Sequence, residues 1–263
     1  MPSRLAPALA ATLVSVALAA SGCGSSAQPN AGGSPASGGT TVTVFAAASM
    51  KATFTTLGRS FETTHAGTRV AFNFAGSQTL AAQITQGAAA DVFASADEAS
   101  MAIVTGAGLN SGVSRRYATN RLSIAVPPDN PAGIAAFADL AKPGLKLVIC
   151  AAPVPCGAAT LKLQTATGVT LTPVSEEQSV TDVLAKVEAG EADAGLVYST
   201  DVIAAGEKVR GIAFSEAARA INSNSIVALK ASSQAAPGQQ FVDLVLSADG
   251  QKVLAEAGFG AAP

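Results

Sequence analysis

The chain has 263 residues, enough for one large domain or two modest ones. Apolar residues make up 49%, much of it alanine, with 5% aromatic, 13% charged and no Trp, a globular composition rather than a disordered one. The formal net charge is −2 and the Lys and Arg residues are scattered, which excludes a nucleic-acid partner and leaves no broad positive field to capture an anion.

Arg4 precedes an uncharged apolar run from Leu5 to Ala20. Its 16 residues are short for a membrane-spanning helix, which needs about 20, and suit the apolar region of a signal peptide. The run closes on Ala20-Ser21-Gly22-Cys23, which resembles the bacterial lipoprotein box, whose cysteine becomes the lipidated N-terminus. Ala20 stands where such boxes usually carry Leu, and ordinary cleavage with Cys23 as a free thiol is the alternative. Gly24 to Thr40 is Gly, Ser, Pro, Ala, Asn, Gln and Thr without charge, the composition of a flexible tether. Residues 1–23 thus read as a signal peptide with a lipobox cysteine, and 24–40 as a tether that lets a folded domain stand off a membrane. Loss of Arg4 leaves 15 basic against 18 acidic residues, a mature charge of −3.

In the folded part, Thr41 to Phe45 is a short β-rich run, and Met50, Phe54, Leu57 and Phe61 recur at helical spacing over 50–65. Arg69 to Phe74 alternates like a strand, and Leu80, Ala81 and Ile84 form one face of a helix over 77–86. A strand at 91–94 and a helix at 98–105 follow. Further strands are predicted at 121–126, 146–150, 194–197, 210–214 and 225–229. Helices are predicted at 134–140, 156–167, 180–189, 238–246 and 251–256. Strands separated by helices of this length predict parallel α/β architecture with helices on both sheet faces. Ligands of such folds bind where strands lead into helix N-termini. Cys150 and Cys156 lie six positions apart in an exported domain, where a disulfide persists once formed; two buried thiols are the alternative.

The chemistry carried by these loops is not that of the common enzymes. There is one His, His65, placed at a helix C-terminus, so neither a metal cluster nor a Ser-His-Asp triad is expected. Walker-type and dinucleotide-type Gly-rich loops are absent. Ser49-Met50-Lys51 could pair a serine with a lysine base, but it lacks the companion motifs of serine acyl-enzymes. What remains is small polar residues at helix starts. Ser49 ends Ala46-Ala-Ala-Ser49, and Ser77 follows Ala75-Gly76. Each is placed to cap a helix, and each loop is bare enough for a ligand to reach backbone N–H groups at the positive end of a helix dipole.

These residues carry a resemblance. Phe45-Ala-Ala-Ala-Ser49, Phe74-Ala-Gly-Ser77-Gln-Thr-Leu80, Gly87-Ala-Ala-Ala-Asp91-Val-Phe-Ala-Ser95-Ala-Asp97, Val154-Pro-Cys156-Gly157 and the block from Val180 to Ala194-Gly-Leu-Val-Tyr198 occur in the order seen in the molybdate-binding proteins of bacterial ABC importers. The chain resembles that family from about Thr41 to its end. The resemblance implies a two-lobed periplasmic-binding-protein fold, type II, each lobe a mixed, mainly parallel sheet flanked by helices. Lobe I would be 41–120 plus 221–263, and lobe II 121–220. It implies an anion held by the hydroxyls and N–H groups of Ser49 and Ser77, the N–H groups of Cys156 and Val180, and the hydroxyl of Tyr198. Cys156 stands where the family usually has a small residue such as Ala, a departure that leaves the amide in place. Asp91 and Asp97 read as loop and cap residues, because a carboxylate would repel the ligand. The expected protein is a monomeric binder of molybdate or tungstate. It has no cofactor, is anchored outside the cytoplasmic membrane through Cys23, and hands its ion to a permease. Sulfate or a small carboxylate is the alternative ligand, and a serine hydrolase the alternative class.

Overall fold

The computed structural model describes residues 39–262. The signal peptide, Cys23 and nearly all of the tether lie outside the described residues. Thr40, read as the last tether residue, instead opens the first strand and pairs with Thr68.

Strand β1 (Thr40–Ala47) passes through a 3-10 turn, Ala48–Met50, into α1 (Lys51–Thr64), followed by β2 (Thr68–Ala75), α2 (Ser77–Thr85), β3 (Val92–Ser95), α3 (Glu98–Gly106) and β4 (Asn110–Asn120). Next come β5 (Leu122–Val126), β6 (Leu147–Cys150), α4 (Pro155–Thr167), β7 (Ser175–Glu177), α5 (Val180–Glu188), β8 (Ala194–Tyr198), α6 (Ser199–Ala205) and β9 (Arg210–Ile212). The chain closes with β10 (Asn222–Leu229), α7 (Ala235–Leu246) and α8 (Ala248–Glu256). The helix expected at 134–140 is a 3-10 turn, Phe137–Ala141. The strand read at 210–214 ends at Ile212. Both C-terminal helices start three residues before their predicted positions, at Ala235 and Ala248.

Two five-stranded sheets result, ordered β2-β1-β3-β10-β4 and β7-β6-β8-β5-β9. In the first, β1 runs parallel to β2 and β3, and β10 is antiparallel to β3 and β4. The second repeats this plan, with β6 parallel to β7 and β8, and β5 antiparallel to β8 and β9. The chain passes from the first sheet to the second between β4 and β5, and returns between β9 and β10. Each sheet with its helices is one lobe of a two-lobed, periplasmic-binding-protein-like fold.

The first sheet is buried on both faces. Val42, Val44 and Ala46 of β1 meet Phe54, Leu57 and Phe61 of α1 and Phe241 and Val245 of α7. The alternate residue Phe45 faces Leu80, Ala81 and Ile84 of α2 and Met101 and Val104 of α3. That double burial explains the short continuous apolar runs of its central strands. In the second lobe, strand residues Leu122, Ile124, Leu147, Leu196 and Val197 share one core with Leu163 of α4, Val183 and Val187 of α5, and Phe137. Among the described residues no helix is long and apolar enough to cross a membrane.

Candidate functional site

The helix starts are arranged differently from simple capping. Ser49 lies inside the 3-10 turn, whose N-cap is Ala47, and Ser77 is the first residue of α2, capped by Gly76 with no side-chain bond. Neither serine caps a helix, contrary to the reading from sequence. The reason is local: small residues precede each serine, so the chain turns one or two positions earlier and leaves the hydroxyl clear of its own backbone. Asp97 does cap, accepting the Ser100 N–H at 3.0 Å at the start of α3. Asp91 accepts from Thr43 N–H at 2.7 Å and from the Ser232 hydroxyl at 2.6 Å, tying β1 to the segment before α7. Both aspartates are structural in this sense. His65 ends α1 with its ring stacked on Phe61, centroids 3.9 Å apart.

Ser49, Ser77, Cys156, Val180 and Tyr198 line one small cavity of about 10 Å³, closed in by the small residues Ala47, Ala48, Ala75, Gly76 and Ala96. Ser49 and Ser77 come from the first lobe, and Cys156, Val180 and Tyr198 from the second. Val180 is the first residue of α5 and Cys156 the second of α4, where backbone N–H groups have no intrahelical acceptor. Three helix N-termini, those of α2, α4 and α5, therefore open on the same space. No Lys, Arg, Asp or Glu is among its lining residues.

The hydroxyls differ in their bonding. Ser77 Oγ accepts the Ala96 N–H at 3.0 Å, which occupies a lone pair and leaves the serine proton free to donate. Ser49 Oγ and Tyr198 Oη are buried and without a hydrogen-bond partner among the described residues. Burial, and then the nearby charges of Asp97 and Asp201, hold the Tyr198 phenol well above its ordinary pKa, so it stays a donor. Asn222 lies close enough to offset part of that rise without making a hydrogen bond of normal geometry.

Two features fix the loops. Cys150, ending β6, is bonded to Cys156 with Cα atoms 5.7 Å apart, so the loop into α4 is a closed ring. Gly157 lets that ring pack, because a Cβ there would sit 2.7 Å from the Cys150 carbonyl oxygen. Asp201, in the first turn of α6, accepts the Tyr198 N–H at 2.8 Å and so holds the tyrosine's backbone. Sequence reasoning did not single out Asp201. Its signal was an acidic residue three positions after Tyr198, as a helix start favours. Burial raises the Asp201 carboxyl to about pKa 7, against the smaller lowering effect of the Tyr198 N–H.

The described architecture has known relatives. The profile of the family "Bacterial extracellular solute-binding protein" matches residues 42–260. A molybdate-binding protein, ModA, from Mycobacterium tuberculosis is 47% identical over 253 residues, covering 95% of this chain and 97% of the relative. Among solved structures, a periplasmic molybdate-binding protein from Azotobacter vinelandii matches with a TM-score of 0.72 at 22% identity, over 84% of this chain and 100% of that one. The sulfate-binding protein SubI from Mycobacterium tuberculosis matches with a TM-score of 0.70 at 19% identity, over 84% of this chain and 86% of that one. The chain belongs to the bacterial extracellular solute-binding protein family, as an exported binding protein and not an enzyme.

Proposed function

We propose that this protein binds molybdate, and tungstate with it, between its two lobes and delivers the ion to an ABC permease. The observation that carries this reading is the pair of buried hydroxyls without a partner among the described residues, Ser49 Oγ and Tyr198 Oη, one from each lobe, at a cavity where three helices begin. A buried hydroxyl left unpaired costs about 1–3 kcal/mol, and a hydrogen bond to a charged group contributes about 1.5–3 kcal/mol. The same two groups are therefore a liability without an anion and an asset with one. Ser77 supplies a third hydroxyl, and the first-turn N–H groups of Ser77, Cys156 and Val180 point the positive ends of helix dipoles at the ion.

Such a site favours a fully deprotonated tetrahedral oxyanion, which only accepts. Protonated phosphate brings a donor, and the lining offers it no carboxylate. Sulfate is smaller than molybdate, so the span between the two sets of donors separates them. The 47% identity to a protein named as molybdate-binding favours molybdate over sulfate.

We assign the lobes as 41–120 plus 221–263, and 121–220, the hinge being the two chain crossings. An ion contacted from both lobes stabilises the closed form by its differential affinity, and that form is what a permease can recognise. We further propose that the protein acts as a monomer, held at the outer face of the cytoplasmic membrane by a lipid on Cys23.

Calorimetric titration of Ser49→Ala and Tyr198→Phe with molybdate tests the site. Each variant should bind about tenfold to a hundredfold more weakly, the loss of one hydrogen bond to a charged group. Wild-type affinity in both would remove the proposed donor set.

A further inference from the structure

We propose that Gly76, Gln78 and the backbone carbonyl of Gln178 form a latch across the cleft, and that the missing side chain of Gly76 is what lets the lobes close. Gly76 and Gln78 flank Ser77 at the start of α2, in the first lobe. Gln178 lies between β7 and α5, two residues before Val180, in the second. Gln78 Nε2 donates to the Gln178 carbonyl at 3.3 Å and to Thr79 Oγ1 at 3.2 Å. A Cβ on Gly76 would press into that same carbonyl oxygen, and would also lie 2.6 and 2.7 Å from Gln78 Oε1 and Nε2.

The glycine is not there for its backbone. Gly76 has φ −58° and ψ 136°, a conformation that alanine adopts without strain. Space at the other lobe is the constraint, and it exists only when the lobes meet. The latch also joins the N-termini of α2 and α5, two like-signed dipole ends that repel one another unless an anion sits between them. Ser77 and Val180, beside the latch, are two of the proposed donors. Closure at this point is thus opposed in the free protein and favoured by the bound ion. Gly76 lines the ligand cavity and Gln78 lies outside its lining; both act as positioning residues that give the ion no side-chain donor.

This inference rests on the ligand lying between the lobes, as proposed above. The test is small-angle scattering of wild type, Gly76→Ala and Gln78→Met, with and without molybdate, tungstate or sulfate, alongside calorimetric affinity and thermal unfolding. Gly76→Ala should keep the wild-type melting temperature, fail to contract on ligand addition, and bind at least about tenfold more weakly, the effect of overpacking one close contact. Gln78→Met should contract normally but bind about twofold to tenfold more weakly, the effect of one neutral hydrogen bond. Contraction and affinity of Gly76→Ala equal to wild type would overturn the latch. So would an unchanged affinity in Gln78→Met, which stands as the test if Gly76→Ala unfolds. Absence of molybdate binding in the wild type would count against the ligand assignment and not the latch, which is then judged on whichever of tungstate or sulfate contracts the wild type.

Discussion

Ser49 and Ser77 carry the same side chain but do different work for the fold. Ser77 Oγ satisfies the buried Ala96 N–H, whereas Ser49 Oγ satisfies nothing among the described residues. Ser77→Ala should therefore lose about 1–3 kcal/mol of stability along with its binding, because it leaves a buried N–H unpaired. Ser49→Ala should lose affinity while the ligand-free fold gains up to about 1–3 kcal/mol, because the substitution removes an unpaired buried hydroxyl. Urea unfolding of the two variants without ligand distinguishes these outcomes, and equal losses would contradict the assignment. Asp201 adds a pH dependence. Its carboxyl sits at about 7 in the fold, above an ordinary carboxylate value of 3.8. At low pH it is protonated in both states and costs nothing. As pH rises from about 4 to about 7 the unfolded chain ionises first, so stability falls, and above that range the loss is complete. Lys51, Arg59, Glu188 and Lys208 line the same groove as Asp201. Asp201→Asn should flatten this slope in thermal unfolding between pH 4 and 8, and a slope equal to wild type would refute the role of burial. At this scale the sequence was only partly legible. Ser49 and Ser77 announce themselves by the bare residues before them, whereas Tyr198 was reached through the resemblance. Cys156 and Val180 offer only backbone at the cavity, so their side chains carry no signal and the block resemblance alone located them.

Helix starts carry the proposed site, and the sequence revealed those of α2, α4 and α5. It did not reveal β4, whose Asn110-Ser-Gly-Val-Ser-Arg-Arg stretch is largely exposed at the sheet edge and lacks alternation. Nor did it reveal α6, which is seven residues long and begins directly on Tyr198. The helix expected near 134–140 tightened to a 3-10 turn because Asp139 accepts the Ala135 and Ala136 N–H groups at 2.8 and 2.9 Å, closing a local turn. The loop from Cys150 to Cys156 is the element most open to a direct test. Closing so short a ring stabilises the fold by roughly 2 kcal/mol in the chain-entropy account. A Cys150→Ser/Cys156→Ser double variant should unfold at correspondingly lower denaturant. It should also bind more weakly, since the α4 N-terminus would no longer be fixed to the end of β6. Unchanged stability and affinity together would show the bond to be incidental.

The two lobes repeat one plan, a parallel trio at one edge with an antiparallel return beside it, and the chain crosses between them twice. Alternating strands and helices made the α/β class readable from sequence. The antiparallel placement of β5 and β10 was not readable, because strand direction depends on the crossings and not on local periodicity. At the molecular scale the charge is the informative quantity. A chain of net charge −2 that binds a dianion must do so against its own field, with donors that are dipoles rather than cations. The claim that neutral donors select molybdate over sulfate is tested most directly by competitive calorimetry on the mature wild-type protein at pH 7. Molybdate and tungstate should bind with comparable affinity in a one-to-one complex, and sulfate at least about a hundredfold more weakly, roughly 3 kcal/mol. Sulfate binding as tightly as molybdate would contradict the account.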